Sequence, residues 1–115
     1  MSREFPESDW REFRQLRELA LQRFCQRVLA EVERISSDPT KSFHDRYLRV
    51  YRLLQRRDRE LGDAFNDPRR SRAMIQLATI HSQRLLEPEE LLRFSVATRE
   101  TLAAWAAMRV KNERA

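Results

Sequence analysis

The stretch 43-FHDRYLRVYRLLQRRDRELGDAFNDPRRSR-72 governs how the rest of the chain is read. Phe43, Tyr47, Val50, Tyr51, Leu54, Leu61 and Phe65 recur at intervals of three and four, so a helix over this stretch gathers them on one face. At 3.6 residues per turn, Arg49, Arg52, Arg56 and Arg59 fall in an arc of about 80° on the opposite face. Asp45, Asp58, Glu60 and Asp63 lie within pairing reach of some of these arginines. The turn Asn66-Asp67-Pro68 then closes the helix, and Arg69, Arg70 and Arg72 follow at once. The apolar face, Tyr47 and Tyr51 included, is expected in the core. The arginines are either a solvated face or a docking surface for phosphates or an acidic partner, which planar guanidinium groups bind bidentately.

Composition points the same way. A chain of 115 residues suits one domain with a modest core, spanning 1–115 with 1–8 and 112–115 frayed. Tight hairpins lean on glycine, and the chain has one, Gly62. That argues for helices joined by short turns rather than for sheet. No apolar run approaches the length of a membrane span, and no leader-like apolar segment is visible, so no membrane partner is expected. Cys25, the single cysteine, cannot form an intrachain disulfide, and a cytoplasmic location is expected.

The excess positive charge is local. Residues 1–36 and 87–115 each balance to zero, 37–67 carry +1, and 68–86 carry +4 with no acid among them, together the net +5. Lys41 and Lys111 are the only lysines. Arginine-favouring codon use accounts for that bias without invoking function.

Proline punctuates the helices. Pro39, Pro68 and Pro88 each follow an acidic residue, the pattern of an N-cap acceptor with proline at the first helical position. On this basis helix one is predicted from about Asp9 to Ile35, capped by Ser8 or Asp9. Helix two is predicted over Pro39–Phe65 and helix three over Pro68–Leu86. A short fourth helix follows from Pro88, and Ser95 caps a last segment over Val96–Lys111. Helix one carries Trp10, Phe13, Leu16, Ala20, Phe24, Val28 and Ile35, widened by Leu21, Cys25, Leu29 and Val32, enough for more than one neighbour. Helix three is apolar almost all round, as a buried helix is. In the last helix, Ala103, Ala104, Ala106 and Ala107 surround Leu102, Trp105 and Met108, a set suited to close packing within the chain or to self-association. The fold class expected is all-α: a small bundle, up-and-down-like, of four main helices, the fourth split near Ser95.

Chemistry is hard to find. No CxxC occurs, and Lys41 and Ala78 stand where a di-iron bundle would have glutamates before His44 and His81. Neither a metal site nor a cofactor is expected. Cys25 sits mid-helix with no histidine nearby in sequence, which suits an inert thiol. One glycine cannot make a phosphate-cradling loop. A helix-turn-helix over Gln76–Leu91 would lead its recognition helix with Glu87, Glu89 and Glu90, which phosphates repel. A non-enzymatic helical interaction module, self-associating as a homodimer or binding another protein, is therefore the first expectation. The alternative is a nucleic-acid-associated protein using Arg49, Arg52, Arg56, Arg59, Arg69, Arg70 and Arg72. Against that alternative stands the assignment of Tyr47 and Tyr51 to the core, which leaves no exposed aromatic rings among the arginines.

Overall fold

Phe13, Leu16, Ala20, Phe24 and Val28 are spaced to fall on one stripe of a helix, and all five are buried. They form the inner face of α1, Glu7–Ser36, the longest element. In the computed structural model, which describes residues 5–114, α1 is followed by α2 (Phe43–Phe65), α3 (Ala73–Ser82), α4 (Pro88–Leu91) and α5 (Val96–Arg114). Four of these helices are substantial and α4 is a single turn. The described residues form no strand, and the chain is an all-α bundle.

The helix starts show which acidic-proline pairs act as caps. At Glu87-Pro88 the pairing works as expected: Glu87 and Glu90 make a reciprocal capping box, with Glu90 accepting from the Glu87 N–H at 2.7 Å. At Asp38-Pro39 it does not. The Asp38 carboxylate accepts from the Thr40 N–H (2.9 Å) and hydroxyl (2.6 Å), folding 37–42 into a turn. The cap passes to Ser42, whose hydroxyl accepts from the Asp45 N–H at 3.0 Å, so α2 begins at Phe43 rather than Pro39. At Asp67-Pro68 the carboxylate is taken by Arg69 (2.8 Å) and Arg72 (3.6 Å), and Asp67 itself has φ 51°. Helix three is shortened accordingly: Arg70–Arg72 make one 3-10 turn, and α3 starts at Ala73. Its other end also comes early. Arg84 turns left-handed (φ 57°), with Leu85 N–H bonded to Ile80 O and Arg84 N–H to His81 O. That is a Schellman stop, built without glycine.

Asp9 is not the cap of α1, which starts at Glu7 after Pro6 with no side-chain cap. Its buried carboxylate instead reaches across to the start of α5. It accepts from Ser95 N–H (2.8 Å), Ser95 Oγ (2.6 Å) and Thr98 Oγ1 (2.6 Å). The N-terminal half of α1, α3 and the start of α5 thereby close around a core that includes Phe5, Phe65, Leu77, Ile80, Phe94 and Leu102. Rings meet at 6.0 Å between Phe24 and Phe65 and at 6.3 Å between Phe5 and both Phe13 and Phe94.

Helices α3 and α5 cover only this end. The distal half of α1 and α2 projects as a bare hairpin, and the chain measures 59 × 34 × 24 Å with a radius of gyration of 17.1 Å. A compact chain of this length would have about 13 Å. The expected apolar face of α2 is corrected by this geometry. Phe65 is buried, but Phe43, Tyr47, Tyr51 and Leu54 are 82, 67, 54 and 45 % exposed. The side of α2 turned to α1 instead carries Leu53, Arg57 and Ala64, about 60–100° round the helix from the centre of the stripe at 100° per residue. Leu53, outside the expected stripe, is the buried leucine.

Candidate functional site

Two ion-pair clusters fasten α1, one to α2 within the hairpin and one to α4 nearer the core. Arg57 lies between the helices, donating to both Glu31 oxygens on α1 (3.1 and 3.0 Å) and to Glu60 (2.9 Å). These hydrogen bonds hold the Glu31 carboxyl below its ordinary value, against the opposing effect of burial. Nearer the core, Arg23 grips Glu90 through two bonds of 2.7 and 3.0 Å and donates to Leu85 O at 2.8 Å. The Arg23 bonds are the main reason that Glu90 is also held below the usual carboxylate range.

Beside the Arg57 cluster runs a groove of about 630 Å³. Phe24 and Val28 line it beside Cys25 and Leu29 from α1, and Tyr51, Leu54 and Leu61 complete it from α2. Leu29 is 66 % exposed. Three polar side chains of α2, Gln55, Arg57 and Asp58, interrupt the apolar lining, Arg57 being held by its pairs with Glu31 and Glu60. Gln55 donates to the Tyr51 hydroxyl at 3.1 Å, leaving the tyrosine proton free to be given elsewhere. Asp58 lies between Leu54 and Leu61 on the same stripe and has no ion pair or hydrogen bond from any described side chain. Chemically, the groove is an apolar slot that carries the exposed Asp58 carboxylate and a spare tyrosine proton, with the ion-paired Arg57 also in its lining.

The seven candidate arginines do not form one surface. Arg49 is paired with Asp45 at 2.9 Å. Arg69 and Arg72 share Asp67. Arg70 is part of the fold: it donates to Phe5 O (2.6 Å) and to Glu7 (2.8 Å), tying the N-terminal segment down. Arg52, Arg56 and Arg59 have no ion pair among the described residues and stay together on the outer face of α2. The last of them is about 9 Å along the axis from the end of the helix, and Arg52 about 20 Å.

Elsewhere the chain offers little. Among the described residues no three His, Cys, Asp or Glu side chains come together as metal ligands. Cys25 is a half-buried free thiol. Burial, and then Arg109, push the half-buried His81 below its usual range. No described helix is long and apolar enough to cross a membrane. On α5, Leu102 is buried and Ala106 half-buried, whereas Ala103, Ala104 and Ala107 face solvent and Met108 is 61 % exposed.

The groove was not visible as a site in the sequence, although two signals pointed to it. The apolar breadth of α1 extends through Leu29, and Asp58 stands inside an otherwise apolar stripe. No protein-family model matches this chain, and no curated protein or solved structure matches it either.

Proposed function

We propose that this protein is a non-enzymatic helical interaction module that works as a self-associated pair, docking through the apolar groove between α1 and α2. The observation that carries this reading is the half-exposed stripe of α2. Tyr47, Tyr51 and Leu54, with Leu29 of α1, form one continuous uncovered face, far from the scattered single residues that a monomer ordinarily exposes. The area is of the right size. An aromatic side chain covers 150–250 Å², so Phe43, Tyr47 and Tyr51 with Leu29 and Leu54 leave on the order of 600 Å² open, against about 800 Å² per partner in a standard interface. A reducing, cytoplasmic setting suits the free thiol that lines the slot. Sedimentation of the wild type and of a Leu29→Glu, Leu54→Glu double variant tests the reading. A concentration-dependent dimer that the variant abolishes supports it; a wild-type monomer at about 100 micromolar, where even weak pairs would populate, overturns it.

A second reading has its own observation. Phe43, Tyr47 and Tyr51 are exposed on the helix whose opposite face carries Arg52, Arg56 and Arg59, and Arg46 lies over the Phe43 ring at 4.6 Å, so α2 presents both rings and guanidinium groups to solvent. Single-stranded nucleic acid binds such combinations by stacking and phosphate contact. Its test is binding to an oligonucleotide across a salt series. Binding that weakens with salt and disappears in Arg52→Glu, Arg56→Glu supports it, and no binding at low salt removes it.

A further inference from the structure

Resting on the self-association reading, we propose how the second copy sits: α2 packs on the partner's α2, antiparallel, about a two-fold axis at Leu54. In this arrangement the Tyr51 hydroxyl of each copy donates to the partner's Asp58. Tyr47, Leu54 and Leu61 recur every seven residues and, at 100° per residue, share an arc of about 40°. A seven-residue apolar repeat is the seam along which two helices pack side by side. Tyr47 and Leu54 are exposed and Leu61 is half-buried at the groove, so the seam is present but unpartnered.

The register follows from the two polar side chains on that seam. A carboxylate that an incoming apolar surface covers must receive a donor, or the docking fails on desolvation. Asp58 has no ion-pair or hydrogen-bond partner among the described side chains. Tyr51 already accepts from Gln55 and keeps its proton to give. Tyr51 lies three residues before Leu54 and Asp58 four residues after. A two-fold axis through Leu54 therefore brings Tyr51 of one copy within one residue, about 1.5 Å along the axis, of the partner's Asp58. The same operation sets Tyr47 level with the partner's Leu61 and Leu54 against the partner's Leu54. It makes the hydrogen bond twice and holds the two Asp58 carboxylates about 12 Å apart along the helices. Such an interface uses the same patch on both copies and closes on itself, as two-fold pairs do.

The test combines sedimentation with a cross-link. Tyr51→Phe and Asp58→Asn are each expected to raise the dimer dissociation constant tenfold or more, and the double variant to be little worse than either alone. Asp63→Asn on the outer face should leave it unchanged. In a Cys25→Ser background, Leu54→Cys sits on the axis and is expected to oxidise readily to a disulfide-linked dimer. Phe43→Cys, eleven residues from the axis, should not. Full-strength dimerisation of both Tyr51→Phe and Asp58→Asn, or failure of Leu54→Cys to cross-link in a preparation that sediments as a dimer, overturns this register while groove docking stands. A wild-type monomer overturns both.

Discussion

Removing the Asp9 carboxylate should detach α5 and lower the stability of the whole bundle. Asp9 is 1 % exposed and is satisfied entirely by three donors of the α5 start, Ser95 N–H, Ser95 Oγ and Thr98 Oγ1, at 2.6–2.8 Å. The carboxylate thus caps a helix that lies 86 or more residues away in sequence. Hydrogen bonds to a charged group contribute about 1.5–3 kcal/mol each, and a buried donor left unmade costs about 1–3 kcal/mol. The three are not additive. In Asp9→Ala the hydroxyls rotate to other acceptors and the Ser95 N–H is stranded, so a net loss of about 3–5 kcal/mol follows from its being a buried, uncompensated network. Asp9→Asn keeps one acceptor oxygen but turns an amide N–H₂ towards the remaining donors, and should lose roughly half as much. With a urea m-value of about 1–3 kcal/mol/M for a small domain, the alanine variant's midpoint should fall by about 2 M. Urea unfolding followed by circular dichroism measures this directly. Ser95→Ala should lose less than Asp9→Ala, since the backbone N–H keeps its acceptor. If Asp9→Ala unfolds within about 1 kcal/mol of the wild type, the carboxylate is not what fastens α5 and the reasoning fails.

Three other outcomes follow from the same geometry. Phe24→Ala, in the core at 6 % exposure, should cost about 3–5 kcal/mol, whereas Leu54→Ala, 45 % exposed, should cost the monomer less than about 1.5 kcal/mol, measured in urea at low protein concentration. A reversal of that order would show that the stripe of α2 is covered after all. Replacing Arg84, left-handed at φ 57°, with glycine should raise stability by up to about 1 kcal/mol, because glycine holds that conformation without a Cβ clash; a drop in melting temperature would count against the Schellman geometry. Glu90 and Glu31 are held below 4.5, chiefly by hydrogen bonds from Arg23 and Arg57. Depressed folded-state values mean that the stabilisation is complete above the unfolded value and is lost as pH falls through the folded one. Stability should therefore decline below about pH 4.5, less steeply in Glu90→Gln; a urea midpoint unchanged from roughly pH 5 to pH 3 would contradict both pairs.

The all-helical class and the four-helix count were legible because glycine is nearly absent and the apolar spacing is helical throughout. The proline marks were half legible. Glu87-Pro88 starts a helix, while Asp38-Pro39 and Asp67-Pro68 do not, although the three dipeptides look alike. The difference lies in a competitor for the carboxylate: Thr40 in one case, Arg69 and Arg72 in the other. Helix α2 failed in a different way. Periodicity locates an apolar stripe but says nothing about whether a neighbour reaches it, and α3 is too short to cover the distal hairpin. Arg70 illustrates the same limit for charge. Its place in a basic run suggests a solvated or docking role, yet it binds Phe5 O and Glu7, which are distant in sequence. Asp58 in the stripe was readable as an anomaly, and only the open groove beside it gives that anomaly a use.

The clasp between Asp9 and the start of α5 also sets an order of events in folding. Helices α1 and α2 meet across a six-residue turn, and α3 follows α2 after seven residues, so these steps bring together near neighbours and proceed quickly. Joining Asp9 to Ser95 closes a loop of some 86 residues, with a chain-entropy cost of about 4 kcal/mol if nothing else is formed. Once the hairpin and α3 are in place most of that loop is already ordered, and the remaining gap is the short segment through α4. Folding therefore has its slow search removed by the early helices, and the docking of α5 comes last. In unfolding the reverse order is expected: α5 should leave first, exposing Phe94 and Leu102 before the hairpin opens. Amide exchange should record this as α5 protons escaping at a lower free energy than those of α1.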